Sequence, residues 1–128
     1  MNPFEKLGNE IGQAIVDTFH PEIGLALVNF WNEQSTFSQE TFGSDSVRGP
    51  EGPIKHIIKE CNEVLENPKD LKEYVDIGVL LCDATRRAGF TLEQLVNGMY
   101  EKLQENKKRN WPKFDETKVN DAVEHIRA

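Results

Sequence analysis

The amino-acid sequence predicts an all-α fold, and three observations carry that prediction. Apolar residues recur at three- and four-residue spacing in successive segments, proline and glycine punctuate the ends of those segments, and two-residue alternation is nowhere sustained. No internal repeat or compositional boundary divides the 128 residues. A single domain is therefore expected, long enough to bury around two thirds of its unfolded surface.

Residues 4 to 19, FEKLGNEIGQAIVDTF, place Phe4, Leu7, Ile11, Ile15, Val16 and Phe19 at helical spacing ahead of Pro21. A second helix is expected over about 22 to 37, with Leu25, Ala26, Val28, Phe30 and Trp31 as its apolar residues. Residues 38 to 53, SQETFGSDSVRGPEGP, hold neither period and read as a loop, long enough to suggest a function. The third helix should begin at Pro53, since proline tolerates the first helical position, and should present Ile54, Ile57, Ile58, Cys61, Val64 and Leu65 as one stripe. ENPKD, around Pro68, breaks it. Asp70 is placed to cap the fourth helix, with Glu73 completing a capping box, and Gly89 to close it after Ala88. Thr91 caps a fifth helix, with Leu92, Leu95, Val96, Met99, Tyr100 and Leu103 inward and Pro112 at its end. DETKVNDAVEHIRA is expected to form a short terminal helix. The whole reads as a four-helix core with short extra terminal helices.

The net charge of −7, from 22 acids against 15 lysines and arginines, argues against nucleic acid or an anionic membrane as partner, because most of the surface would repel either. An anionic ligand would need local basic residues or a bridging cation. Cys61 and Cys82 lie in apolar helical runs, which suits reduced, packed thiols rather than a disulfide framework. No apolar run approaches a membrane span, and MNPFEKLGNE lacks the basic start and apolar core of a signal peptide, so a cytoplasmic protein is expected.

The acids between residues 60 and 83 carry the chemistry. Three residues apart on a helix is about 60° around the axis, so Glu60 with Glu63, and Glu73 with Asp76, form two pincers. The short break at Pro68 forces their helices antiparallel and brings the four carboxylates toward one patch. Repulsion of ~1 to 4 kcal/mol per close pair at intermediate dielectric makes such a patch unfavourable without a cation. Oxygen-only ligation suits Mg²⁺ or Mn²⁺, and the lack of a histidine or cysteine cluster counts against zinc. Glu60, Glu63 and Glu73 taken alone read better as ordinary solvated acids at the edge of an amphipathic helix, since acids at this spacing are common. Asp76 tips the balance, because Tyr74, Val75, Ile77, Val79, Leu80 and Leu81 around it leave few ways to face water. Asp83, seven residues on, reads as an outer or structural acid, and His56 as a surface or supporting histidine. Lys102, Asn106 and Arg109 share one face of the fifth helix and could hold successive phosphate oxygens, although a basic last turn is also the ordinary complement of the helix dipole.

Glu60-x-x-Glu63, Glu73-x-x-Asp76 and Lys102-x-x-x-Asn106-x-x-Arg109 together resemble the MazG-like all-α nucleoside triphosphate pyrophosphohydrolases. TFGSDSVRGPEGPIKHIIKE and the ending KRNWP resemble the dATP/dGTP pyrophosphohydrolase branch, some members of which are encoded by bacteriophages, and the likeness covers about residues 31 to 112. The resemblance implies a MazG-like four-helix core, working as a homodimer or homotetramer in the cytoplasm, the host's if the chain is phage-encoded. It implies Mg²⁺-dependent water attack at the α-phosphorus of a purine (deoxy)nucleoside triphosphate, dGTP, GTP or dATP, giving monophosphate and pyrophosphate. By position, Glu60, Glu63, Glu73 and Asp76 would hold metal, and Lys102, Asn106 and Arg109 phosphate. Where the family pattern often has paired glutamates, Lys59 precedes Glu60, which bears on the number of metals and makes Lys59 a further phosphate candidate.

Glu63 is the candidate proton acceptor from water. No Ser/His/Asp or Cys/His set suited to covalent attack is evident, and Gly43, Gly49 and Gly52 lack the Walker form. Trp31, Asn32 and Gln34, with Phe42, are candidates for the base, Trp31 also reading as core. Arg48 is either a solvated loop residue or a phosphate or base contact. Two alternatives stand beside the purine reading. One is a non-catalytic helical dimerisation module with a cation-binding acidic patch; the other is the same scaffold acting on dUTP, dCTP or phosphoribosyl-ATP.

Overall fold

The structure, a computed structural model, describes residues 21–127, so the helix expected over residues 4 to 19 lies outside the described residues. Four α-helices follow in order: α1 Pro21–Phe42, α2 Glu51–Glu66, α3 Leu71–Arg87 and α4 Leu92–Lys108. The described residues contain no strand beyond an isolated bridge between Asn110 and Ile126. The fold is all-α.

Helix α1 runs five residues past the expected end at 37, to Phe42. Its last two turns, rich in serine, threonine and glutamine, weakly favour helix by propensity. Local and tertiary bonds hold them instead: Thr36 Oγ1 donates to the Asn32 carbonyl at 3.2 Å, Gln39 Nε2 to Ser35 Oγ at 3.0 Å, and Ser38 is fully buried. Gly43, at φ 110°, supplies the left-handed conformation that ends the helix. Helix α2 starts at Glu51 rather than Pro53, which costs nothing because the missing N–H of Pro53 falls among first-turn donors that lack an intrahelical partner.

The start of α3 is capped by Asp70, whose carboxylate accepts from Lys72 N at 3.0 Å. Glu73 does not complete a capping box: its Oε2 is buried without a hydrogen-bond partner, leaving it available to the acid patch. Gly89, at φ 95°, closes the α3 end as expected. Thr91 and Gln94 form a reciprocal capping box at the start of α4, with bonds of 3.1 and 2.9 Å. The terminal helix expected over DETKVNDAVEHIRA is absent. A short 3₁₀ turn, Glu116–Lys118, stands alone there, and the segment closes on itself where Ile126 N donates to the Asn110 carbonyl at 2.7 Å. Almost every residue of that stretch is exposed, so no surface among the described residues stabilises a helix so short.

The core is small. Among the described residues Ala84, Leu92 and Val96 are the buried apolar ones, with Leu27, Trp31 and Tyr100 packed against Leu92 and Val96. Met99 and Leu103, expected inward, are exposed, as are Ile54, Ile58 and Leu65 of the α2 stripe and Cys61. Both cysteines are free thiols, and Cys82 is the one partly packed. The face of α2 turned toward α3 is instead the one that carries Glu60, at 7% exposure. No helix among the described residues is long and apolar enough to cross a membrane.

Candidate active site

The α2–α3 turn sets the register of the acids. Asn67 N donates to the Glu63 carbonyl at 3.0 Å, and Tyr74 Oη donates to the Pro68 carbonyl at 2.6 Å, so the chain reverses within a few residues. The two helices pack along each other, and one carboxylate oxygen from each of Glu60, Glu73 and Asp76 comes within 4.8 Å of the others. Glu63 lies beside Glu60 but outside this trio. Asp76 is exposed, contrary to the sequence argument that its apolar neighbours would enclose it; Tyr74 and Val75, each 50% exposed, enclose nothing.

The electrostatics record the crowding. The Glu63 carboxyl, by favouring a shared proton, pushes the Glu60 carboxyl above its ordinary value; burial and the charges of Glu63 and Asp76 add to this, while His56 opposes it. His56 Nε2 meets Glu60 Oε1 at 2.9 Å, so the histidine supports the site through Glu60. Burial chiefly raises Glu73, helped by Glu63, Asp70, Asp76 and Glu60. Glu60 Oε2 and Glu73 Oε2 are buried and unpartnered. Orphaned hard oxygens in an electronegative cluster fit a divalent cation, and the all-carboxylate set suits Mg²⁺ or Mn²⁺ better than zinc.

Glu60 and Asp76 open into a cavity of about 340 Å³, which His56 and Asp83 also line. Helix α1 contributes Gln34, Phe37, Ser38 and Phe42 to it, and Phe37 packs edge-on against Phe42 with ring centroids 6.0 Å apart. Of the residues expected at the base, Gln34 reaches this cavity. Trp31 packs on the Leu92–Val96 core, and Asn32 lines a separate shallow depression.

Behind the cavity lies a network that sequence reasoning missed. Asp83 accepts from Arg86 Nη2 at 2.7 Å, Arg87 Nε at 3.1 Å and Gln34 Nε2 at 3.3 Å. Arg87, its side chain 0% exposed, also donates to Ser38 Oγ at 2.8 Å and to the carbonyls of Gly43 and Arg48 at 2.9 and 3.2 Å. Arg86 grips Asp45 through Nε and Nη2 at 3.1 and 3.2 Å. Asp83 is thus a structural acid tying the 43–50 turn to α3. The available signal was the i, i+3, i+4 spacing of Asp83, Arg86 and Arg87, hidden by the usual role of basic residues at a helix end.

Lys102, Asn106 and Arg109 do share a face, but Glu105 occupies it with them: Lys102 Nζ lies 2.9 Å from Glu105 Oε2, and Arg109 Nη1 donates to Asn106 Oδ1 at 3.1 Å. A hydrogen bond from Lys102, then the charges of Lys102 and Arg109, hold the Glu105 carboxyl below its ordinary value. Lys102 and Asn106 line a groove of about 570 Å³ with Gln94 and Met99, separate within one chain from the acid-lined cavity. Lys59 is exposed.

The all-α chain thus presents clustered, partly orphaned carboxylates that could hold a metal ion, beside a cavity with Phe37 and Phe42 in its wall. The family model described as dATP/dGTP pyrophosphohydrolase matches residues 30–128, and the chain belongs to that family. It is also similar to the Eaa protein of Salmonella phage P22, at 43% identity over 80 residues, which are 62% of this chain and 24% of that protein. The chain therefore matches only about a quarter of that relative's length. No solved structure matches.

Proposed function

We propose that the chain hydrolyses purine (deoxy)nucleoside triphosphates, dGTP, GTP or dATP, to the monophosphate and pyrophosphate, with Mg²⁺ or Mn²⁺ held by Glu60, Glu63, Glu73 and Asp76. The observation that carries this reading is the convergence of Glu60, Glu73 and Asp76, two of them with orphaned oxygens, at the edge of a cavity with aromatic walls. Membership of the family supports it. A divalent cation bound there would supply charge neutralisation for phosphate oxygens and a lowered pKa for water.

Glu63 stands beside the Glu60–Glu73–Asp76 trio, so in this reading one of its oxygens completes the metal set while the other is left to orient the attacking water and take its proton. Phe37 and Phe42, both more than half exposed, offer faces and edges to a base at the apolar end of the cavity. Lys102, Asn106, Arg109 and Lys59 bind phosphates in this reading, the guanidinium in bidentate fashion once Glu105 yields it. The extensive exposed apolar surface of α2, α3 and α4, set against so small a core, supports a homodimer or homotetramer. The net negative charge and free thiols support a cytoplasmic protein with no nucleic-acid partner.

The test is to incubate the protein with each common NTP and dNTP plus Mg²⁺ and to resolve the products. Monophosphate without intermediate diphosphate is expected, with Glu63→Gln slower by about 10²–10⁴-fold. Diphosphate as first product, or an unimpaired Glu63→Gln variant, overturns the assignment.

A further inference from the structure

Arg48 is held at its backbone and left free at its head. Its carbonyl accepts from the buried Arg87 Nη1 at 3.2 Å and its N–H donates to the Ser44 carbonyl at 2.9 Å, so the turn that carries it is tied to α3. The side chain lies across the first turn of α2, on Gly52. A Cβ at that glycine would collide with Arg48 Nη2 and come 3.1 Å from its Cζ and 3.5 Å from its Nε, so any larger residue would displace the guanidinium. No carboxylate among the described residues pairs with it. Glu51, three residues on, turns back over Gly49, where a Cβ would meet its Oε2 at 2.5 Å, and Asp45, three residues before, is taken by Arg86 and Arg87.

A solvated arginine ordinarily needs no partner, but this one stands at the amino end of α2, where the helix dipole is also positive and Pro50 supplies no side-chain cap. An anion lying between them would satisfy both. The register of α2 points to which anion: His56, Glu60 and Glu63 follow Gly52 at four, eight and eleven residues, along one side of the helix. Gly52 and Glu60 are separated by about 12 Å of rise, a span open to a metal ion and an extended triphosphate. The acid-lined cavity has two unlike walls, Gln34, Phe37 and Phe42 on α1 and His56 and Glu60 on α2. A nucleotide held at the acids by its phosphates can lay its base on the aromatic wall and run its outer phosphates along the α2 wall toward Arg48. Arg86 and Arg87, the neighbouring guanidinium groups, spend donors on Asp45, Asp83, Gln34, Ser38 and loop carbonyls.

We propose that Arg48 is a phosphate-binding residue of this site, closing its fork on the terminal phosphates of the triphosphate, and that Gly52 is a positioning residue that gives the guanidinium its seat. This rests on the nucleotide reading above. In that reaction the water oxygen bonds to the α-phosphorus and its proton passes to Glu63. The bond from the α-phosphorus to the bridging oxygen breaks, and its electron pair leaves with pyrophosphate. Arg48 meets the charge that pyrophosphate gathers, in bidentate geometry that a lysine, a point charge, cannot reproduce.

The experiment compares Arg48→Ala, Arg48→Lys and Gly52→Ala with wild type. It measures kcat and KM for dGTP and dATP, inhibition by inorganic tripolyphosphate, which has no base, inhibition by dGMP, which has no outer phosphates, and melting temperature. Arg48→Ala should raise the tripolyphosphate inhibition constant and lower kcat/KM for both purines by about tenfold or more, with the dGMP constant held within about threefold. Arg48→Lys should recover part of that loss. Gly52→Ala should melt at or above wild type, because alanine favours helix over glycine, yet weaken tripolyphosphate by about threefold or more as the guanidinium is pushed from its seat. A merely structural role for Arg48 or Gly52 does not combine a retained melting temperature with weakened tripolyphosphate binding. An unchanged tripolyphosphate constant in Arg48→Ala overturns the inference, and if that variant fails to fold, an unchanged constant in Gly52→Ala does so. A dGMP constant that weakens while tripolyphosphate binding holds would assign Arg48 to the base and overturn it too. A wild-type protein that neither hydrolyses purine triphosphates nor is inhibited by tripolyphosphate overturns the nucleotide reading and this inference with it; wild-type turnover with normal Arg48→Ala kinetics sinks the inference alone.

Discussion

Replacing Asp83 by asparagine should destabilise the protein severely, whereas replacing Asp76 should not, although both acids lie on one face of α3. Asp83 is the sole carboxylate contacting Arg87 Nε, at 3.1 Å, and Arg87 has a side chain 0% exposed. Removing that charge leaves the buried guanidinium with one longer carboxylate contact, Arg87 Nη1 to Asp45 Oδ1 at 3.4 Å, and turns an amide donor toward other donors. Breaking a buried pair from one side costs about 3–5 kcal/mol, against a total stability of ~5–15 kcal/mol for an ordinary domain. At about 4 °C per kcal/mol for a domain of this length, the melting temperature should fall by ~12–20 °C. Urea and thermal denaturation followed by circular dichroism measure both quantities. The pH profile supplies a second check. Burial alone would raise the Asp83 carboxyl, but hydrogen bonds from Ser38, Arg86, Arg87 and Gln34 outweigh it and leave the pKa below the ordinary 3.8. A depressed folded pKa means the stabilisation is complete above that ordinary value and is lost as pH falls through the folded one. Wild type should therefore lose stability in acid more steeply than Asp83→Asn. A variant within about 1 kcal/mol of wild type at neutral pH would refute the reasoning, since that is the scale of an unremarkable substitution.

Asp76→Asn should keep near-native stability without metal yet lose the Mg²⁺-dependent rise in melting temperature, which in wild type corresponds to about 2.7 kcal/mol at one hundred times the dissociation constant; an equal Mg²⁺ shift in both proteins would count against Asp76 as a ligand. In the metal-free protein, Glu60 and Glu73 have raised folded pKa values, so the folded state binds protons more tightly than the unfolded one. These two acids should make stability fall as pH climbs from the ordinary 4.5 through their folded values, and saturating Mg²⁺ should abolish that fall, as urea midpoints across the range would reveal. Ile58→Asp should shift the protein toward smaller species in sedimentation velocity without loss of helicity, because Ile58 is 62% exposed among the described residues; an unchanged sedimentation coefficient would count against this face of α2 as a contact between copies.

Much of this protein is local and was legible residue by residue. Asp70, Thr91 and Gly89 end their helices as their side chains or backbone freedom require, and the three-residue spacing of Glu60/Glu63 and Glu73/Asp76 puts each pair on one face regardless of what surrounds them. The break at Pro68 then left few ways for the two helices to run. Burial is not local, and there the tertiary structure decided. Periodicity marked Ile58, Leu65, Met99 and Leu103 as one apolar side of their helices, but it could not say that they are exposed among the described residues, nor that a glutamate would occupy the α2–α3 contact. Helix α1 outlasted its propensity because Ser38 found Arg87, a residue 49 positions away. The acids on α3 look alike in sequence. Asp83 became a buried structural ion and Asp76 an exposed ligand candidate because only one of them met two arginines, and the energy of a carboxylate is set by what surrounds it.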